Sequence, residues 1–292
     1  MQQPIIAGNN VEEATQRRLG LVTVNGGCSG TLLNRYWVLT ARHCVSTNSH
    51  PDGPLMQAQQ VRITAAWTSF TAHGTDYNEF AVNRPTPSRD IVMVYLGLGD
   101  LAWDGENFPY LTDATDPQHD DPATWAGARL KDTDTVTQYG RGLTSYASGV
   151  VGTPSETRAQ GSGTYHSASF TPSSISETRY VLQANGIGQV GAGGDSGGPT
   201  MVARRGRGGG LAIAGVQSTC TATGYIPVAT GVATPPNYPD WSYATGESAC
   251  QYVSTEPFVK EIGAALQRSP DPKNPASAAI RALPDIVDYV LQ

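Results

Sequence analysis

The sequence predicts an all-β protein organised in two halves, and three of its features support this. Charged residues make up only 15% of the 292 residues, whereas Gly (33) and Pro (20) are abundant, which favours short strands and turns over long charged helices. Short runs rich in β-branched and aromatic residues alternate with turn residues, as in β-barrels and β-sandwiches. The four cysteines form one pair in each half of the chain, which suggests that each half closes on itself.

The strand-like runs are spread over most of the chain, whereas helix signals are confined to its end. The predicted strands are residues 19–24, 31–40, 61–64, 90–96, 133–139, 180–184, 199–203 and 211–218. Residues 112–124 are rich in Asp, Pro and Thr without an apolar period, and are the best candidate for an interdomain linker. After Thr255, a predicted N-cap, Phe258 and Ile262 fall on one face of a helix together with Leu266. Residues 276–291 predict a further helix, interrupted at Pro284.

Charge and hydropathy exclude two classes of partner. The formal net charge of −6 argues against nucleic acid, since phosphate binding needs a positive surface. The basic run ARRGRGGG (203–210) is isolated in this acidic chain, and we interpret it as a solvated hairpin loop. No apolar run approaches the roughly 18 residues that span a bilayer, so no membrane is expected. The first residues lack the features of a signal peptide, and we expect any export signal to be missing from this sequence.

The cysteines favour disulfides over a metal site. Cys28 and Cys44 form the first pair along the chain, Cys220 and Cys250 form the second, and no C-x-x-C spacing occurs. An even count without that spacing is poor evidence for zinc and favours two disulfides formed in an oxidising compartment. Four buried free thiols are the alternative.

Two acidic stretches offer oxygen ligands for calcium. The stretch at 72–79 contains Asp76, Asn78 and Glu79, and the other covers 113–121. Neither has a strong ligand spacing, so a solvated loop is the preferred interpretation. We predict no metal and no cofactor.

The segment GAGGDSGGPT (191–200) places Asp195 and Ser196 among glycines. It fits the G-x-S-x-G nucleophile elbow, but that fold needs a histidine after the serine, and all five histidines precede Ser196. The subtilisin order Asp–His–Ser is disfavoured, because no aspartate precedes His43, the histidine in the best context. The order that remains is His–Asp–Ser.

Three motifs supply this order, namely TARHC (40–44), SRDIVMVYL (88–96) and GGDSGGP (193–199). Together they resemble the chymotrypsin-like (trypsin-type) serine peptidases over roughly residues 5–267. The resemblance implies two antiparallel Greek-key β-barrels packed together, with the active site in the cleft between them. The implied domains are residues 1–115 (N-terminal barrel, with His43 and Asp90), 116–255 (C-terminal barrel, with Ser196 and the specificity pocket) and 256–292 (C-terminal helix and short helical extension).

The chemistry of acyl transfer explains why these residue types are needed. A serine hydroxyl is a poor nucleophile until a neighbouring base takes its proton, and imidazole both accepts and returns a proton near neutral pH. The resemblance implies that Ser196 is the nucleophile, that His43 is the base, and that Asp90 orients the imidazole and stabilises the imidazolium. It also implies that the backbone amides of Gly194 and Ser196 face the developing oxyanion.

The resemblance further implies a Cys28–Cys44 disulfide, which holds the loop carrying His43. The second cysteine pair departs from the family pattern, in which a cysteine commonly stands at the position of Ala192. We still predict a Cys220–Cys250 disulfide, close to the specificity pocket. The residues predicted to bind substrate around this pocket are Val190, Gly191, Ser218, Thr219 and Cys220, of which Ser218 also supports Asp90.

The predicted pocket offers no charge for a basic substrate side chain. Val190 lies six residues before Ser196, where the resemblance places the pocket floor, and cleavage after Arg or Lys needs a carboxylate there. Gln217 lies near the position where glutamate-specific bacterial members have a histidine. We therefore expect an apolar or small residue before the scissile bond, with Asp240 and Glu247 as the open alternatives for an acidic group.

The sequence IIAG, beginning at Ile5, resembles the mature start of this family. There the freed α-amino group pairs with the aspartate before the nucleophile, here Asp195. A buried carboxylate without a partner is costly, so this pair orders the oxyanion hole. Residues 1–4 still precede Ile5, and we predict that a protein retaining them is weakly active.

The sequence thus predicts a secreted serine endopeptidase that acts on polypeptides as a monomer, with a protein inhibitor as a further partner. One alternative is a dormant zymogen or a non-catalytic binding homologue of the same fold. The intact triad argues against the binding homologue, while the presence of residues 1–4 before Ile5 leaves the zymogen as an alternative. Another alternative is an esterase that uses the same acyl-transfer machinery.

Overall fold

Antiparallel sheets dominate the computed structural model. It describes residues 5, 8–34, 37–67, 69, 71–85, 88–96, 130–142, 146–147, 155–156, 164–203, 211–221, 225–227, 241–244 and 248–267. The strands, numbered along the chain, are β1 (Asn9–Asn10), β2 (Leu21–Val24), β3 (Cys28–Asn34), β4 (Trp37–Thr40), β5 (Arg62–Thr64), β6 (Thr71–His73), β7 (Asp76–Asn78), β8 (Val92–Tyr95), β9 (Val136–Gly140), β10 (Tyr146–Ala147), β11 (Ser155–Glu156), β12 (His166–Phe170), β13 (Arg179–Gln183), β14 (Pro199–Ala203), β15 (Leu211–Thr221), β16 (Tyr225–Pro227), β17 (Trp241–Ala244) and β18 (Ala249–Ser254). The all-β class predicted from the sequence is confirmed.

The first large sheet has the strand order β6-β5-β2-β3-β4-β8-β7. Strands β2, β3 and β4 follow one another, and β5 returns to lie beside β2, which is the Greek-key arrangement. Strands β2 and β4 are buried at every position, because apolar side chains cover both of their faces. This burial allows runs such as LVTV and WVLT to lack a strict apolar–polar alternation.

The second large sheet has the order β1-β12-β9-β14-β15-β18-β13. Here β14, β15 and β18 are neighbours, and β13 returns beside β18, again as in a Greek key. The short strand β1, although near the N terminus, pairs with β12 and so joins this second sheet. A small sheet, β11-β10-β17-β16, completes the described strands.

Two apolar clusters form the interior. One fills the first sheet, and the other lies in the second sheet around Tyr180, Tyr252 and Val190. The rings of Tyr180 and Tyr252 stack with centroids 5.2 Å apart. The first cluster also includes Phe258 and Ile262, so the C-terminal helix packs back onto the first half of the chain.

The helices correct two expectations. A short helix, α1 (Glu13–Leu19), lies near the N terminus, where no helix was predicted. Its acidic start, its basic last turn and Gly20 in the left-handed conformation after it are helix signals, but seven residues give too short an apolar period to detect.

At the C-terminal end, a 3₁₀ turn (Glu256–Phe258) leads into α2 (Val259–Gln267), which confirms the predicted helix. Thr255 does not cap it through its side chain. The hydroxyl instead donates to the carbonyl oxygen of Ile213 in β15 at 2.6 Å, which ties the helix start to the second sheet.

Several predicted features lie outside the described residues. They are the linker at 112–124, the barrel boundary at 115/116, most of the basic run at 203–210, the acidic residues Asp240 and Glu247, and the extension after residue 267. Within the described part of the chain, no helix is long and apolar enough to cross a membrane.

Candidate active site

His43 and Asp90 meet at one end of the first sheet. His43 lies in a 3₁₀ turn (Arg42–Val45) directly after β4, and Asp90 lies just before β8, the neighbour of β4. The Nδ1 atom of His43 is 2.8 Å from Oδ2 of Asp90, and the backbone amide of His43 donates to Oδ1, also at 2.8 Å. The pairing of β4 with β8 therefore brings together two residues that are 47 positions apart.

Asp90 is completely buried and receives a third hydrogen bond, from the second sheet. The hydroxyl of Ser218 in β15 donates to Oδ2 of Asp90 at 2.5 Å. Burying a carboxylate is costly unless its oxygens are hydrogen-bonded, and here both oxygens have donors. These contacts fix the orientation of the His43 ring, of which 15% of the side chain is exposed.

The loop that carries Ser196 is pressed against the first sheet. The amide of Ser29 donates to the carbonyl oxygen of Ser196 at 2.8 Å. Gly197 has φ +80°, and a Cβ atom there would collide with Ser29 O and with Oγ1 of Thr40. Since Thr40 lies three residues before His43, this close approach brings Ser196 to the end of the first sheet that carries His43. Among the described residues, the hydrogen bonds do not include one between Ser196 and His43.

Ser29 also holds the other side of the nucleophile loop. Its hydroxyl donates to the carbonyl oxygen of Gly194 at 3.0 Å and accepts from the amide of Arg141 at 3.2 Å. The amide of Asp195 donates to the carbonyl oxygen of Ala192 at 3.1 Å. The Gly194–Asp195 peptide is thus fixed through both its C=O and its N–H. Sequence reasoning missed Ser29, because only the folded chain distinguishes it from the other serines.

Asp195 is fully buried, and in the part of the chain that the structure describes its carboxylate is held by backbone amides alone. Gly142 N–H donates to Oδ1 at 2.6 Å, and Ala192 N–H donates to Oδ2 at 2.8 Å. Burial raises the pKa of Asp195 from 3.8 to about 7, although the two amide hydrogen bonds oppose this rise. No ion pair of Asp195 with a cationic group occurs within the part of the chain described.

Ile5 lies in the core of the second sheet. Its side chain is fully buried in the apolar cluster that also contains Val190 and Ala192. Its φ of +50° is an outlier for a β-branched residue, because Cβ clashes with the backbone in the left-handed region. The residue predicted to begin the mature chain is therefore already buried in the apolar interior of the second sheet.

The comparison with known protein families decides the identity of the fold. A family model described as Trypsin matches residues 5–241. The chain belongs to the trypsin family of serine proteases. The match begins at Ile5 and includes the three motifs around His43, Asp90 and Ser196.

Individual trypsin-like relatives agree with this assignment. The snake venom serine protease catroxase-1 of Crotalus atrox is 49% identical over 43 residues, which are 14% of this chain and 16% of that protein. The aligned part thus spans about a sixth of that relative. The structure of neuropsin, a serine protease expressed in the limbic system of mouse brain, superposes with a TM-score of 0.56. It is 16% identical, and the alignment covers 90% of this chain and all of neuropsin, so it shows the fold.

Both predicted disulfides are present. Cys28 pairs with Cys44, next to His43, and Cys220 pairs with Cys250. The described residues contain no free cysteine. The cysteine sulfurs near His43 are therefore not available as thiolate metal ligands.

The acidic stretch considered for calcium is used in another way. The Oε2 atom of Glu79 lies 2.8 Å from Nε of Arg42, whose Nη1 also donates to the carbonyl oxygens of Pro51 and Gly53. A buried guanidinium at this carboxylate repels a second cation. Glu79 therefore serves an ion pair that anchors the loop after His43.

The predicted pocket residues lie together on one flank of the nucleophile loop. The amide of Gly197 donates to the carbonyl oxygen of Gln217 at 2.8 Å, so β15 runs directly past the loop and continues through Thr219 and Cys220. The Gln217 side chain reaches from β15 to the segment before Ser196, where its Nε2 donates to Ala192 O at 3.2 Å. The sequence indicates only the position of Gln217 near the predicted pocket. Its hydrogen bond from β15 to Ala192 depends on the strand register, which the sequence does not show.

Proposed function

We propose that this member of the trypsin family is a serine endopeptidase that hydrolyses peptide bonds through an acyl-enzyme. The observation that carries this proposal is the hydrogen-bonded unit of His43, Asp90 and Ser218 beside the loop of Ser196. A non-catalytic binding protein has no need of a buried carboxylate that receives three donors and orients a partly exposed imidazole. This unit is what a hydroxyl nucleophile requires.

The proposed reaction assigns each group one task. His43 Nε2 takes the proton of Ser196 Oγ as this oxygen attacks the scissile carbonyl carbon, and the carbonyl oxygen becomes an oxyanion. The amides of Gly194 and Ser196 stabilise that charge. Removal of one such donor lowers kcat about 10²–10³-fold. His43 then gives the proton to the leaving amine, and water repeats the sequence on the acyl-enzyme. Asp90 stays ionised and stabilises the imidazolium.

The remaining sequence predictions belong to this proposal. We propose that the N-terminal barrel covers residues 1–115, of which Ile5 and β1 pack in the second sheet, the C-terminal barrel 116–255 and the helical end 256–292. The two disulfides and the similarity to a snake venom serine protease support an extracellular location. Polypeptides are the proposed substrates of a monomer, and a substrate-like protein inhibitor is the proposed further partner.

Labelling of Ser196 tests this function. A fluorophosphonate probe should label the protein, and the label should be lost in Ser196→Ala. A generic protein substrate should be hydrolysed by the same samples in the same order. Protein that folds normally but neither takes up the probe nor cleaves would contradict the proposal.

A dormant zymogen is the second candidate, and the surroundings of Asp195 favour it for the chain that retains residues 1–4. Its carboxylate is buried and pairs, among the described residues, with amides only, while Ile5 lies in the apolar cluster of Val190 and Ala192 with a strained φ of +50°. Cleavage before Ile5 would remove the preceding carbonyl carbon and with it this strain, worth about 1–3 kcal/mol. The new ammonium would supply the missing cation. We therefore propose that the chain beginning at Ile5 is the fully active form.

A further inference from the structure

The resemblance to the trypsin family implies that the residue before the scissile bond lies on the flank of Ser196 that is bordered by β15. Gly197 N–H donates to Gln217 O at 2.8 Å, and Gln217 N–H donates to Gly198 O at 3.0 Å. The nucleophile loop is therefore continuous with the edge of β15. The segment Val190–Ala192 faces β15 across the Gln217 side chain, whose Nε2 donates to Ala192 O at 3.2 Å. A substrate side chain next to the attacked carbonyl has to enter between these two borders.

The side chain of Gln217 fills the gap. Its Oε1 accepts hydrogen bonds from Gln138 Nε2 and from the Tyr252 hydroxyl, the latter at 3.3 Å. Its Nε2 donates to Ala192 O at 3.2 Å and to Cys220 Sγ at 3.1 Å. Four partners hold the amide in place, so a substrate side chain cannot displace it without leaving buried polar groups unpaired.

The Cys220–Cys250 disulfide closes the gap further along. Cys220 in β15 lies directly opposite Cys250 in β18, with Cα atoms 4.0 Å apart. Cys250 is completely buried, and its Sγ lies 3.2 Å from Gly191 O. A Cβ atom added at Gly191 would lie 2.5 Å from Gln217 Oε1 and 2.9 Å from Cys250 Sγ. The border segment is thus packed directly onto Gln217 and the disulfide.

Exposure shows how little of this region a substrate can reach. Only 2% of Val190 and 1% of Gln217 are exposed, although walls of a deep empty pocket would be open to solvent. Thr219 is exposed and Cys220 is partly exposed, so the accessible surface is the rim. Asp195, the nearby carboxylate, has both oxygens occupied by backbone amides.

We propose that Gln217 and the Cys220–Cys250 disulfide determine specificity, and that the enzyme cleaves after small uncharged residues such as Gly, Ala and Ser. This inference rests on the proposed endopeptidase function and names its substrate class. Among the described residues, the space beneath the rim is occupied by Gln217 and the disulfide, and the carboxylate of Asp195 is already held by two backbone amides.

Peptides that differ only in the residue before the scissile bond test the proposal. The protein beginning at Ile5 should be used, with its active sites counted by fluorophosphonate labelling of Ser196. We expect kcat/KM for Ala to exceed that for Leu and Phe by at least about 10-fold and that for Arg by about 100-fold, since even one methylene is discriminated 10–200-fold. Preference of the wild type for Leu, Phe, Arg or Lys would overturn the inference.

A pocket-opening variant tests the assigned residue. In Gln217→Ala, the ratio of kcat/KM for the peptide with Leu before the scissile bond to that for the peptide with Ala should rise about 10-fold. Gln251→Ala is the matched control, because Gln251 lies in the adjacent strand and accepts instead from Arg179 at 3.3 Å, so its ratio should not change. Gln217→Val, which removes the amide but leaves a smaller apolar side chain in the sheet, provides a second opened variant if Gln217→Ala melts at a much lower temperature. An unchanged ratio in a folded Gln217 variant would also overturn the inference.

The labelling step separates the two levels of failure. Wild-type protein that is labelled at Ser196 but prefers large or basic residues contradicts the specificity assignment and leaves the proposed function intact. Folded protein beginning at Ile5 that is neither labelled nor cleaves any peptide contradicts the proposed function, and the specificity assignment falls with it.

Discussion

The buried carboxylate of Asp195 predicts that removal of residues 1–4 changes how stability depends on pH. In the chain that retains them, the pKa of this group is raised from 3.8 to about 7 by burial. The unfolded chain loses the proton near its ordinary value, while the folded chain keeps it until about pH 7. The free energy of unfolding therefore falls as pH rises from about 4 to 7 and is constant above. At 1.36 kcal/mol for each pH unit, the loss is about 4 kcal/mol.

Starting the chain at Ile5 should remove most of this loss. The α-ammonium group would lie close to Asp195 and favour its ionised form, which lowers the pKa of the carboxyl and raises that of the amine. Urea unfolding of both lengths at pH 4.5 and pH 8 measures the difference, in a Ser196→Ala background that prevents self-digestion. Asp195→Asn in the longer chain serves as the control, because it cannot ionise and should also lack the loss.

Hydrolysis provides the second measurement for the same change. If the ammonium orders the loop of Ser196, the chain that begins at Ile5 should hydrolyse peptides at least about 10-fold faster, since one oxyanion donor alone is worth 10²–10³ in kcat. The reasoning is refuted if both lengths show the same fall in stability between pH 4.5 and pH 8. Equal rates of hydrolysis would refute the activation step.

Two further predictions concern His166 in β12 and Ser29 in β3. His166 is 2% exposed, and burial lowers its pKa from 6.5 to about 4, so the unfolded chain gains a proton first as pH falls. The free energy of unfolding should therefore decrease by about 3 kcal/mol between pH 6.5 and pH 4. Unfolding curves of His166→Gln should lack this decrease. Ser29→Ala removes the hydrogen bond to Gly194 O, which is worth about 1–1.5 kcal/mol. Its loss should reduce kcat about 10-fold while KM stays within a factor of two. An equal change in kcat and KM would assign Ser29 a structural role only.

The sequence predicted those features that depend on chain order and local pattern. The all-β class, the two disulfides and the C-terminal helix agree with the structure, because turn residues, cysteine pairing and a 3.6-residue apolar period are local signals. The order of His43, Asp90 and Ser196 along the chain is by itself enough to indicate the family. Their exact contacts were beyond the sequence, because they depend on which residues of β4 and β8 face each other.

The missed features share a physical cause, which is long-range register. Ser29 contacts Gly194 across 165 positions, and Gln138 contacts Gln217 across 79. Glutamines and serines are ordinary surface residues in most sequences, and only pairing in the folded sheet shows that these are buried. Helix α1 was missed because tertiary contacts, and not its short sequence, stabilise seven helical residues.

The structure also separates the groups proposed for chemistry from those proposed for specificity. The hydrogen bonds around Asp90 and Ser29 join the two large sheets, so the proposed nucleophile and base depend on how those sheets pack. The side-chain hydrogen bonds among Gln138, Gln217 and Tyr252 lie entirely within the second sheet. A change of the Gln217 side chain leaves its backbone bonds to the nucleophile loop in place, because those use its N–H and C=O. Within the described part of the chain, the Gln217 side chain reaches the loop of Ser196 only through Ala192 O, which accepts from both Gln217 Nε2 and the Asp195 amide, so a change at Gln217 should alter substrate preference more than the reactivity of Ser196 toward a small fluorophosphonate.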